Sequence, residues 1–135
     1  MSKNTTGFTL LELVMVIVII GILTTFAAPV FIRTVERSRT GEAMRILGQL
    51  RLSQMRYYAE WASTTSNWNA LDVDPSTGKF YNFAIFSTTS PANNTVATAT
   101  RNTVSNPNYG NYVISITGNG ALNCSGGTKC PPIHG

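Results

Sequence analysis

Glu12 has the most unusual chemical setting in this chain. It is the one formal charge in residues 8–32, and the eleven residues 13–23 that follow it carry no polar side chain. An ionised carboxylate in such a segment costs about 2.5 to 3.5 kcal/mol at the centre of a bilayer, and less toward its edge, unless a partner meets it. No Lys or Arg lies between Glu12 and Arg33, so the partner within reach is an amine. Cleavage after Gly7 would supply one, because Phe8 would then carry a positive α-amino group four residues ahead of Glu12. The two charges could neutralise each other within one chain or between neighbouring chains staggered along an assembly.

The remaining chemistry-bearing residues are few. Cys124 and Cys130 are the only cysteines and His134 the only histidine. In an exported protein the cysteines are expected to pair, closing a small ring through Gly126 and Gly127 worth roughly 2 kcal/mol on the loop-entropy account. The rival is zinc held by Cys124, Cys130 and His134, which lacks a fourth ligand for a structural site. Residues 72–78 place oxygen side chains at alternate positions, as calcium loops do. They lack the Gly at the sixth position, and Phe83 stands at the twelfth where the closing Glu belongs, so Asp74-Pro75 reads as a turn instead. His134 is expected at a frayed end and no other histidine is present to activate a Ser or Cys nucleophile, and there is no paired acid pattern and no phosphate-cradling Gly loop. No catalytic residue, metal, cofactor or small-molecule substrate is expected.

The elements that must position Glu12 follow from hydropathy. As a helix, the 25 residues 8–32 would reach about 37 Å, enough to cross a hydrocarbon core of about 30 Å. Beyond them, Ala43, Ile46, Leu47, Leu50, Tyr57, Tyr58 and Trp61 recur at the spacing of one helix face, interrupted by Gln54, with Arg45, Gln49 and Arg56 on the other side. One helix from residue 8 to about 62 would change environment along its length, with a bend near Thr25 to Pro29 and weak points at Gly41 and Gly48.

Residues 62–67 read as a helix stop, followed by a loop to Gly78 in which Trp68 and Leu71 are the anchors. Strands are expected over residues 79–87, 96–104, 109–117 and 121–124, the last two joined at Gly118-Asn119-Gly120 as a hairpin. The fold class is α+β: a long N-terminal helix whose C-terminal half packs on a small antiparallel sheet.

With 135 residues and 12% charged side chains, the chain can build one small core. Six arginines, Arg33, Arg37, Arg39, Arg45, Arg51 and Arg56, fall within 24 residues against Glu36 and Glu42. This basic stripe reads as a solvated face or a source of bridges between subunits, with anionic lipid or nucleic acid as the functional alternatives. After residue 60 the only basic residues are Lys79, Arg101 and Lys129, so no nucleic-acid patch is expected there.

The order of a short polar leader, Gly7, then Phe8-Thr9-Leu10-Leu11-Glu12 and a long apolar run resembles the type IV pilins and their relatives, the pseudopilins of type II secretion. The resemblance covers about the first 55 residues and continues beyond them only in outline. A secretory signal peptide fits less well, since its apolar core is usually about 7 to 15 residues. The resemblance implies cleavage between Gly7 and Phe8 by a prepilin peptidase, N-methylation of Phe8 by the same enzyme, and a role for Glu12 in guiding subunits into a helical filament. Gly21 and Pro29 sit where many pilins have the helix breakers that let this part unwind. The implied organisation is a leader over 1–7, a transmembrane and filament-core helix over 8–32, the amphipathic half of that helix over 33–62 and a globular head over 63–135.

The function implied is a structural pilin subunit that forms a homopolymer through its N-terminal helix, with the assembly machinery of the inner membrane as further partner. The alternatives are a pseudopilin, or a minor pilin that binds DNA or surfaces. Before assembly the chain would cross the inner membrane once, with its C-terminal domain outside the cytoplasm, and afterwards lie in an extracellular pilus. Lys3 on one side of the span and Arg33, Arg37 and Arg39 on the other would give the opposite orientation by the positive-inside rule. The orientation implied by the resemblance is preferred, because dedicated secretion machinery sets it and the cysteines suit an oxidising compartment.

Overall fold

A computed structural model describes residues 7–73, 80–102, 110–126 and 130, apart from the side chain of residue 29. Residues 1–6 of the expected leader, the Asp74-Pro75 turn, Lys79, the far end of the second expected strand, Tyr109, Gly127 and His134 lie outside the described residues. The elements in chain order are helix α1 (Leu10–Trp61), a short 3-10 turn (Trp68–Ala70) and strands β1 (Tyr81–Ile85), β2 (Thr95–Arg101), β3 (Val113–Thr117) and β4 (Leu122–Ser125). The chain divides into two compact units, Met1–Arg37 and Ser38–Gly135.

In the first unit, the backbone amide of Glu12 donates to the Thr9 hydroxyl at 3.3 Å, the N-cap bond that fixes where α1 begins. Thr9 with Glu12 three residues on is the sequence form of a capping box. Seven of the nine residues 14–22 are Val or Ile, a composition that favours strands in water. A helix there fits an apolar medium, where every backbone group must find its partner inside the segment.

In the second unit, Thr40, Ala43, Leu47, Leu50 and Gln54 are buried at alternating steps of three and four, which makes one helix face. Ala43, Leu47 and Leu50 share a core with Tyr81 and Ile85 of β1, Val96, Ala97 and Ala99 of β2, and Tyr112, Ile114 and Ile116 beside and within β3. Full burial of a Leu or Ile in such a core contributes about 1.5 to 3 kcal/mol. The sheet is a meander in the order β1-β2-β3-β4, every neighbouring pair antiparallel. A register irregularity between Thr95 and Ala97 puts Val96 and Ala97 both inside, where strict alternation allows one of them.

The helix face differs from the expected one at its far end. Trp61 is 66% exposed and stacks on Tyr57 with ring centroids 6.2 Å apart, while Gln54, which looked like an interruption, is fully buried. The cause is the loop after α1. Gln54 Nε2 donates to the Thr65 carbonyl at 2.7 Å, and the Thr65 amide donates to Gln54 Oε1 at 2.9 Å. A side-chain amide thus completes the backbone of a loop that folds over the helix. Ala62 makes the turn with φ 55°, the left-handed conformation that commonly ends helices and that a Cβ disfavours.

Next to it, the Thr64 amide donates to the Thr88 carbonyl at 2.9 Å and the Thr88 amide to the Thr64 hydroxyl at 2.7 Å. Trp68 and Leu71, the expected anchors, pack against the core.

Two other contacts tie the helix to the sheet. The hydroxyls of Thr40, Tyr81 and Tyr112 form a buried triangle with sides of 3.2, 3.2 and 2.6 Å. Arg51 Nε donates to the Gly118 carbonyl at 2.8 Å, and the Gly118 amide donates to the Pro91 carbonyl at 2.8 Å.

Candidate functional site

The first unit presents Glu12 on a bare apolar rod. From Phe8 to Ile32 the large apolar residues are 42 to 82% exposed, so no core within the described residues covers them. Among the described residues no cation or hydrogen-bond donor reaches the Glu12 carboxylate. It lies in the first turn of α1, where the helix dipole favours a negative charge.

The polar atoms that remain on the rod are paired locally. The hydroxyls of Thr24, Thr25 and Thr34 donate to the carbonyls of Ile20, Gly21 and Val30 at 2.8, 3.0 and 3.0 Å. This back-bonding hides them from an apolar surrounding and tends to bend a helix slightly. Pro29 has no backbone N–H, so the Thr25 carbonyl loses its usual i+4 donor. The helix assignment nevertheless continues through Gly21 and Pro29. A Cβ built on Gly21 meets nothing within 4 Å, so no neighbour in the chain requires glycine there.

The arginine stripe separates into two groups. The Arg39 guanidinium lies 4.1 Å from the centroid of the Phe80 ring, Arg51 holds Gly118, and Arg56 pairs with Asp72 at 2.9 Å. Arg33, Arg37 and Arg45 are exposed and meet no carboxylate or ring among the described residues. Asp72 also accepts from the Ser53 hydroxyl at 2.5 Å. That hydrogen bond, with the nearby Arg56 charge adding to it, holds the Asp72 carboxyl below its ordinary range. Arg101 is 2% exposed, with its guanidinium carbon 6.0 Å from the Tyr112 ring. It is therefore a core residue, and the alternation of β2 in the sequence does not say which face is inside.

Cys124 and Cys130 are bonded, with Cα atoms 6.0 Å apart, which removes both thiolates from the zinc alternative. Among the described residues no group of three or more His, Cys, Asp or Glu is placed to hold a metal. Asp72, the first residue of the loop compared with calcium sites, is engaged by Ser53 and Arg56.

Comparison with known proteins bears on the same segment. Residues 2–28 match the family described as the prokaryotic N-terminal methylation motif. The chain is 35% identical over 79 residues to the type IV major pilin protein PilA of Myxococcus xanthus (strain DK1622), a match covering 58% of this chain and 36% of that relative. The match thus spans about a third of the relative's length. No solved structure matches the chain.

Proposed function

We propose that the chain, whose residues 2–28 match the prokaryotic N-terminal methylation motif, is a structural subunit of the type IV pilin family, polymerising through residues 8–32 into an extracellular type IV pilus. The observation that carries the reading is Glu12, a single charge without a cation on an exposed apolar helix, five residues after Gly7. A peptidase of the inner membrane cuts between Gly7 and Phe8 and methylates the new amine, which keeps its positive charge. Before assembly the apolar helix spans the membrane with the C-terminal domain outside the cytoplasm.

In the filament the same surface lies against neighbouring subunits. Both surroundings are apolar, so burial itself distinguishes them little. Side-chain packing and the pairing of one subunit's Glu12 with a Phe8 amine then set the register between subunits. Gly21 and Pro29 bracket the stretch that unwinds.

The test is electron microscopy of filaments sheared from cells, with mass spectrometry of the subunit they contain. Abundant filaments built from a chain beginning at N-methylated Phe8, and two hydrogens lighter for the Cys124–Cys130 bond, are the expected result. Processed chain retained in the envelope without filaments would overturn the pilus assignment and favour a pseudopilin or a minor subunit.

A further inference from the structure

Arg33 and Arg37 begin where the apolar rod ends, and they meet no carboxylate or ring among the described residues, whereas Arg39 lies over the Phe80 ring, Arg51 donates to the Gly118 carbonyl and Arg56 pairs with Asp72. At a spacing of four residues the two lie on one side of α1. Arg33 lies 21 residues beyond Glu12, which is about 31 Å along a helix axis and close to the roughly 30 Å of a bilayer's hydrocarbon. When Glu12 and the Phe8 amine sit at one face of a bilayer, Arg33 and Arg37 emerge at the other, at the depth of the lipid phosphates. Guanidinium groups bind phosphate oxygens in a two-pronged fashion, and their aliphatic stems lie along the acyl boundary.

We infer that Arg33 and Arg37 form a binding site for the phosphates of anionic phospholipids, occupied while the subunit is in the membrane and vacated when it enters a filament. This rests on the reading of residues 8–32 as a membrane-crossing helix. Continuity with the apolar rod selects lipid over nucleic acid, because a nucleic acid would have to reach cations held against the membrane surface. Anionic headgroups are preferred over zwitterionic ones because they carry a net negative charge that no ammonium group cancels.

The test uses the chain as extracted from membranes, reconstituted into phosphatidylcholine bilayers with spin-labelled phosphatidylglycerol or spin-labelled phosphatidylcholine as the probe. The wild type should enrich the labelled phosphatidylglycerol at its boundary, and 1 M salt should reduce that enrichment. Each of R33Q and R37Q should lower the preference about fivefold, the change that corresponds to about 1 kcal/mol per basic residue near an anionic surface. The double variant should approach no preference, while R45Q, altered at an exposed arginine farther along the sequence, should behave as wild type.

Alkaline carbonate extraction of the same samples keeps the two levels apart. A chain that carbonate removes does not cross the bilayer, which overturns the membrane reading and this site with it. A chain that resists carbonate but shows no lipid preference, or loses it equally in R45Q, overturns the site alone.

Discussion

Replacing Gln54 by Leu tests whether one side-chain amide holds the loop after α1 in place. Gln54 is fully buried and Thr65 is 9% exposed, and both backbone groups of Thr65 are satisfied by the Gln54 carboxamide. Leucine keeps much of the volume and removes both partners. Each backbone group left unsatisfied costs about 1 to 3 kcal/mol, and the added apolar burial returns roughly 1 kcal/mol. The net loss is therefore about 3 kcal/mol, and for a unit of this size each kcal/mol lowers Tm by about 4 to 8 °C.

Thermal unfolding of the detergent-solubilised chain should fall by on the order of 10 to 20 °C, read by tryptophan fluorescence because Trp68 sits in the same loop. Leu52→Ala, at a residue 57% exposed on the same helix, is the control and should stay within about 0.5 kcal/mol of wild type. A Gln54→Leu variant melting within about 3 °C of wild type would refute the argument, since water would then be completing the Thr65 backbone.

Three further perturbations probe other contacts. Glu12→Ala should abolish or strongly reduce incorporation into filaments while the melting curve of the second unit stays unchanged; normal filament yield on electron micrographs would remove Glu12 from assembly. Gly118→Ala places a Cβ 2.5 Å from the Pro91 carbonyl oxygen, closer than backbone can tolerate, and should destabilise by about 1 to 3 kcal/mol in chemical denaturation. Because the folded state depresses the Asp72 pKa, the stability it contributes is present above the ordinary carboxylate value and lost as pH falls through the lower folded value. Ser53→Ala removes the larger cause, so stability measured from pH 7 down to 2 should lose part of its acid limb, and an unchanged profile would contradict the assignment.

The α+β class, the helix, the four strands and their antiparallel order are all readable from the sequence because each rests on a local signal. Hydropathy marks residues 8–32, alternation marks β3, and the Gly118-Asn119-Gly120 turn marks the β3–β4 hairpin. What the sequence does not show depends on residues distant in the chain. Gln54 breaks an apolar face unless Thr65 is known to fold back on it, and Trp61 completes that face unless the helix is known to end there in the open. Arg101 looks like surface charge until the register irregularity in β2 and the Tyr112 ring are in place.

In the N-terminal segment, Gly7, Phe8 and Glu12 stand out by residue type and spacing alone. The division of the arginines does not, because Phe80, Gly118 and Asp72 come from three different loops and strand ends. A capping pattern at Thr9 and Glu12 was legible in principle, since the two residues stand at the required spacing.

The Cys124–Cys130 bond bears on a hazard that every open sheet carries. β4 is the last strand in the order, so among the described residues one row of its backbone groups has no strand beside it, the kind of edge that recruits foreign strands and seeds aggregates. A chain continuing straight from Cys124 would carry Cys130 about 20 Å onward at 3.3 Å per residue. The disulfide instead holds their Cα atoms 6.0 Å apart, so β4 cannot run on as one straight strand to Cys130. Reduction should therefore lower solubility before it unfolds the sheet, with light scattering rising while the Trp68 signal is still native. For molecules stored side by side at high density, a short, tethered edge limits which contacts can form between them.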